Sequence, residues 1–161
     1  MIRGFPPIER SDARILILGS MPSVASLSEA QYYAHPRNAF WPIMARLLDG
    51  PVSTYDEKHR LLTEHRIALW DVVAACEREG SLDSAITSSV ANALEPFFQS
   101  HPEIRLVCFN GRTAQALYRR HVGVFPIGTD FRCLPSTSPA NTMAFERKYE
   151  AYASALGSVV F

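Results

Sequence analysis

The chain has 161 residues, 47% of them hydrophobic, and 16 Lys plus Arg balance 16 Asp plus Glu. That length and apolar content suit one domain, spanning 1–161, with a sizeable core. The absence of net charge argues against a protein that holds nucleic acid by bulk electrostatics, so such a role needs a local basic patch. Cys76, Cys108 and Cys133 include no CxxC pair, which disfavours a disulfide framework, a zinc site or an iron–sulfur cluster. Cys108 and Cys133 stand in apolar runs and read as buried free thiols of a reducing compartment. The start, "MIRGFPPIERSD", has no apolar signal core, and no apolar run approaches about 18 residues. A soluble, cytoplasmic chain with no membrane association is expected.

In chain order, the run Ile15-Leu16-Ile17-Leu18 closed by Gly19 predicts a strand over Arg14–Gly19, buried on both faces. The long segment Ser20–Arg37 follows; segments of such length in compact domains are functional or disordered, and Tyr32, Tyr33 and His35-Pro36 favour order. A helix is predicted over Asn38–Leu48, with Phe40, Trp41, Met44, Leu47 and Leu48 in the core and a stop at Asp49-Gly50-Pro51. A shorter helix, Asp56–His65, precedes a strand at Ile67–Val73. Leu82–Gln99 reads as a Ser-rich polar start and then a helix through Phe97 and Phe98. A third strand, Ile104–Asn110, runs straight into a helix at Gly111–Arg120. The fourth strand is Asp130–Leu134, and a last helix, Pro139–Leu156, carries Phe145, Tyr149, Tyr152 and Leu156 on one face. Strands alternating with helices predict a three-layer α/β/α sandwich around a central, mainly parallel four-stranded sheet.

Ligands of such sheets bind beyond the carboxyl ends of the strands. Three stretches lie there. In "GSMPSVASLSEAQYYAHPRNAFW", Ser20 and Met21 leave the first strand and Asn38 opens a helix, either as an N-cap or as a ligand contact. In "IRLVCFNGRTA", Asn110 ends a strand; it is either a residue tolerant of a left-handed turn or a carboxamide reading a planar heterocycle with one donor and one acceptor. "CLPSTSPAN" is either an ordinary helix-capping loop or a phosphate clamp of hydroxyls and free backbone N–H groups. Neither GxGxxG nor GxxxxGK[ST] is present, "GSMPS" is no nucleophile elbow, and the histidines have no metal-ligand spacing and read as mostly superficial.

Together and in this order, "GSMPS…YYAHPRNAFW", "FNGRTA" and "LPSTSP" resemble the uracil-DNA glycosylase superfamily, and more closely its hypoxanthine-DNA glycosylase branch. The resemblance spans nearly the whole chain. It implies an enzyme that flips a deaminated base out of DNA and hydrolyses the N-glycosidic bond without metal or cofactor, working as a monomer. Many relatives carry Asp or Asn where Met21 stands; in the hypoxanthine branch the resemblance passes the water-positioning role to Asn38. It makes Asn110 the base-recognising residue and Tyr33 the ring beneath the flipped base, with Met21 and Ser20 beside it. Leu134 replaces a histidine found in some uracil-specific relatives. Pro135, Ser136, Thr137, Ser138, Pro139, Ala140 and Asn141 correspond to the loop that presses on the DNA backbone, with Ser136, Thr137 and Ser138 as phosphate contacts. Arg37, Arg112, Arg119 and Arg132 are further candidates for phosphates. Deoxyinosine is the expected substrate, with xanthine and uracil as alternatives. Two rival readings are an acyl hydrolase built on Ser20 and a non-catalytic module that binds a modified nucleotide.

Overall fold

The computed structural model describes residues 1–160; Phe161, the last residue of the expected domain, lies outside them. A short strand, β1 (Ile2–Arg3), leads into β2 (Ile15–Gly19), every residue of which is buried. Helices α1 (Val24–Glu29), α2 (Phe40–Leu48) and α3 (Tyr55–Glu64) follow. Then come β3 (Ile67–Asp71), β4 (Val73–Glu77), β5 (Thr87–Ala91), α4 (Leu94–Ser100), β6 (Leu106–Asn110), α5 (Arg112–His121), β7 (Asp130–Leu134) and α6 (Phe145–Val160).

Four strands form the central parallel sheet in the order β3-β2-β6-β7. Alternation along the strands divides the interior into two cores. Ile15, Ile17, Leu69 and Cys108 face Phe40, Trp41, Met44, Leu62, Tyr152 and Leu156 of α2, α3 and α6. Leu16, Leu18, Ala68, Val107 and Phe109 face Leu94, Phe97, Ala114, Leu117 and Tyr118 of α4 and α5. This is the expected three-layer sandwich. Its strand ends are level: Gly19 pairs with Asp71, and Asn110 with Leu134. Everything carried just past those residues is therefore delivered to one face.

The helices begin and end where local chemistry dictates. Thr54 and Glu57 form a reciprocal capping box at the start of α3, and Asp49 in a left-handed conformation closes α2. Phe40 and Trp41 are core residues, and the Trp41 indole N–H donates to the Tyr32 carbonyl at 2.7 Å.

Several expectations are corrected. The strand predicted at Ile67–Val73 breaks at Val72, because the Val72 and Val73 N–H groups donate to the carbonyls of Gly19 and Ser20. The chain is thereby led past its neighbour into a second, antiparallel sheet of order β1-β4-β5. The apolar residues on both sides of Asp71 conceal that break. Within Leu82–Gln99 only Leu94–Ser100 is α-helical; before it lie a 3₁₀ turn at Asp83–Ala85 and strand β5, whose Ser/Thr-rich, half-exposed sequence lacks an apolar period. The last helix starts at Phe145 rather than Pro139, since residues 139–144 are occupied by turns around Asn141, whose Oδ1 accepts the Met143 N–H. The segment Ser20–Arg37 contains α1 and is not a plain loop. Cys133 is exposed, because β7 is an edge strand with a single neighbour, while Cys76 and Cys108 are buried. His101 is not superficial: it is buried, stacked on Phe97, with Nε2 2.7 Å from a Glu9 carboxylate oxygen.

Candidate active site at the carboxyl ends of the parallel strands

A cleft of about 390 Å³ opens over the ends of β2, β3, β6 and β7, a volume in the range of small-ligand sites. Of the residues expected there, Ser20, Met21, Tyr33, Asn38, Asn110 and the loop Ser136–Asn141 all line it. Pro135 does not; its carbonyl accepts the Tyr152 hydroxyl from below.

Thr137 organises one wall. Its N–H donates to Asn110 Oδ1 at 2.9 Å, its hydroxyl oxygen accepts from Asn110 Nδ2 at 3.0 Å, and its carbonyl accepts the Ala39 N–H at 3.0 Å. The residue is 0% exposed, so it contacts no phosphate, contrary to expectation. It latches the end of β6 to the start of α2 instead. Because a backbone N–H can only donate, Asn110 must turn its oxygen to Thr137, and the carboxamide is held against flipping. One lone pair on Oδ1 and one Nδ2–H remain for a ligand. Gly111 makes this approach feasible: its φ is +100°, and a β-carbon there would lie 3.1 Å from Ser136 Cβ.

Of the two roles the sequence left open for Asn38, the structure supports the second: it lines the cleft, while Ala39 is the N-cap of α2 and has no side-chain cap bond. Asn38 Oδ1 accepts the Phe40 N–H at 2.9 Å, a turn two residues long that leads into the helix. That bond fixes the carboxamide and leaves a lone pair and both amide hydrogens uncommitted by it.

The loop 136–141 differs from an open N–H clamp. The N–H groups of Thr137, Ser138, Ala140 and Asn141 are all consumed within the site, by Asn110, Ser136, Ser138 and Ser138 respectively. What the Ser136 and Ser138 side chains retain is their hydroxyl hydrogens. Lys148, a buried residue of α6, pins the loop from beneath through the carbonyls of Ser138 and Asn141, and burial lowers its pKa. Arg37 and Arg112 stand at the strand-end face, whereas Arg119 lies in the last turn of α5, which runs back toward the opposite end of the sheet.

The floor and second wall hold groups that sequence reasoning missed. Asp71, the last residue of β3, is buried, with Oδ2 lacking any hydrogen-bond partner. Burial, and then the charge of Asp83, push its carboxyl up to about 7, with Arg78 opposing. The Tyr33 hydroxyl is also buried without a partner, and both groups crowd the α-carbon of Gly19, where a β-carbon would lie 2.5 Å from Asp71 Oδ1 and 2.8 Å from the Tyr33 hydroxyl. Burial, reinforced by Asp71, raises the Tyr33 phenol far above its usual range, so it stays neutral. Tyr33 adopts a left-handed φ of 52° and rests its ring on Phe40 at a centroid distance of 4.4 Å. The signal for Asp71 was an acidic residue closing a strand whose other members are apolar.

Ser20 donates its hydroxyl hydrogen to Asp83 at 2.7 Å rather than to a histidine, so the serine–histidine pair of an acyl hydrolase is not formed here. Met21 is packed in the core beneath the loop it opens.

A small three-layer domain with two fixed carboxamides over a cleft at the strand ends fits the base-excision class that the motifs pointed to. A profile of the uracil DNA glycosylase superfamily matches residues 6–157, and the chain belongs to that superfamily. Within it, the chain is 39% identical to a hypoxanthine DNA glycosylase of Methanosarcina acetivorans over 86% of this chain and 87% of that one. It is 32% identical to a hypoxanthine DNA glycosylase of Methanosarcina barkeri, over 95% and 96% of the two chains. A solution NMR structure from Methanosarcina acetivorans, described as a candidate uracil DNA glycosylase, superposes with a TM-score of 0.78 at 38% identity, covering 94% of each chain.

Proposed function

We propose that this protein is a monofunctional DNA glycosylase that removes hypoxanthine from deoxyinosine in DNA and leaves an abasic site. The observation that carries the reading is the latch of Asn110 by Thr137. Hypoxanthine presents an acceptor, O6, beside a donor, N1–H. The spare Nδ2–H and the spare Oδ1 lone pair of Asn110 complement that pair, and adenine reverses it. A carboxamide free to flip would accept either base; one held by a backbone N–H accepts hypoxanthine and leaves adenine with mismatched groups, at about 1–3 kcal/mol for each unpaired buried group.

The target must leave the stack, which is easiest for a mispaired base. In the cleft it stacks on Tyr33, a contact worth about 1–3 kcal/mol. Asn38 orients water toward the sugar C1′ with the free lone pair of its oxygen. An amide is no real base, so bond breaking leads: the glycosidic electrons leave with the base, an oxocarbenium-like sugar forms, and water adds late, losing a proton to solvent while the departed purine anion takes one up from solvent. Rate then comes from positioning and electrostatics. Ser136 and Ser138 hydroxyls, with Arg37 and Arg112, hold the backbone. The zero net charge supports modest affinity and a shallow salt dependence.

The reading is tested by incubating the protein with matched oligonucleotides containing deoxyinosine, deoxyxanthosine or deoxyuridine, then cleaving abasic sites with alkali. Strand cleavage greatest at deoxyinosine is expected. Cleavage greatest at deoxyuridine assigns the chain to uracil removal instead, and no cleavage at any of them leaves a binding module.

A further inference from the structure

The connection from β4 to β5 forms the wall opposite Thr137, and it is clamped to the turn after β2 at three points. Arg78 donates to the Pro22 carbonyl at 2.6 Å, the Ser81 hydroxyl oxygen accepts the Val24 N–H at 2.9 Å, and Asp83 accepts from Ser20 at 2.7 Å. Between the clamped Ser81 and Asp83 stands Leu82, on the lip of the cleft and 61% exposed. The 3₁₀ turn that follows stiffens it, with the Ala85 N–H donating to the Leu82 carbonyl. Val24, held against the same segment, is 52% exposed. A lone exposed leucine is unremarked on most surfaces. Here it is rigidly presented at the mouth of the cleft, where the opposite lip, Ser138 to Asn141, has no large apolar side chain.

An enzyme that extrudes a base from a paired duplex must fill the space left behind, and apolar side chains driven between base steps do this. We propose that Leu82 is the wedge: on flipping, it enters the stack from the β4–β5 lip while the loop 136–141 holds the backbone from the other. This rests on the glycosylase reading. It assigns discrimination between paired and unpaired substrate to a different wall from the one that reads the base.

The test uses the full chain with Leu82→Ala and Leu82→Met. Single-turnover release of hypoxanthine is measured from deoxyinosine opposite deoxycytidine and from the same strand unpaired. Leu82→Ala is expected to slow release from the duplex by about tenfold or more, to leave the single-strand rate unaltered, and to be rescued by Leu82→Met, with the melting temperature unchanged. Equal rates for wild type and Leu82→Ala on the duplex overturn the proposal, as does an equal loss on both substrates, which marks a distorted cleft. Absence of any hypoxanthine release by the unaltered chain overturns the glycosylase reading and the wedge with it.

Discussion

The two walls of the cleft are built on opposite plans. Around Thr137 the polar groups are closed on one another: its N–H, hydroxyl and carbonyl are all engaged, the loop N–H groups are consumed locally, and Lys148 ties the loop down from α6. On the β3–β4 side, Asp71 Oδ2 and the Nε and Nη1 of Arg78 are buried without partners, and an apolar side chain is held in solvent. A closed network fixes geometry, as a base-reading carboxamide requires. Orphaned buried groups cost about 1–3 kcal/mol each, and such costs concentrate where a protein meets its ligand. The first wall is therefore largely closed on itself, while the second keeps unpaired buried polar groups and an exposed apolar side chain.

The comparison is broken most forcibly at Asn110. Asn110→Ala removes the base-reading pair and is expected to lower hypoxanthine release by about tenfold to a hundredfold, measured at saturating duplex; an unchanged rate removes Asn110 from recognition. Thr137→Val keeps the backbone N–H and the shape but deletes the acceptor for Asn110 Nδ2. A loss of about tenfold is expected, carried by kcat rather than KM, with Thr137→Ser restoring the rate. Equal activity of Thr137→Val and wild type shows that the latch is not needed.

The smallest effect, on the second wall, concerns stability. The Asp71 carboxyl titrates near 7 in the folded chain against 3.8 for an ordinary carboxyl. Below about pH 4 it is protonated folded and unfolded alike, so it contributes no penalty. From there to about pH 7 the unfolded chain releases the proton while the folded chain keeps it, so stability falls across that window and levels above it. Asp71→Asn is expected to flatten this decline and to melt higher than wild type at pH 8. Parallel melting curves against pH for the two proteins would refute the assignment.

The legible and illegible parts of the sequence divide along similar lines. β2 and β7 could be placed to within a residue because buried parallel strands read as continuous apolar runs or lie between sharp turn signals. Asn38, Asn110 and the loop 136–141 were legible through motif resemblance, and the cleft brings them together. The second sheet was not, because β4 resumes the apolar pattern directly after Asp71 with no turn signal between, and β5 is Ser/Thr-rich. Ser81–Asp83 went unnoticed because their positions follow from tertiary hydrogen bonds across the chain, which no local period announces; Asp71 was passed over although an acid in an apolar strand was its signal. An N-cap role for Asn38 and a place in the cleft were alternatives in the sequence; in the fold Ala39 is the N-cap, and a turn bond from the Phe40 N–H orients the Asn38 side chain in the cleft.

The account depends most on Asn38, and one experiment addresses it: free hypoxanthine released from a deoxyinosine duplex by wild type and by Asn38→Ala, under single-turnover conditions. The account predicts release by wild type with an alkali-labile site left in the strand, and a rate lower by about a hundredfold in Asn38→Ala with duplex binding retained. An Asn38→Ala variant that releases the base as fast as wild type contradicts it.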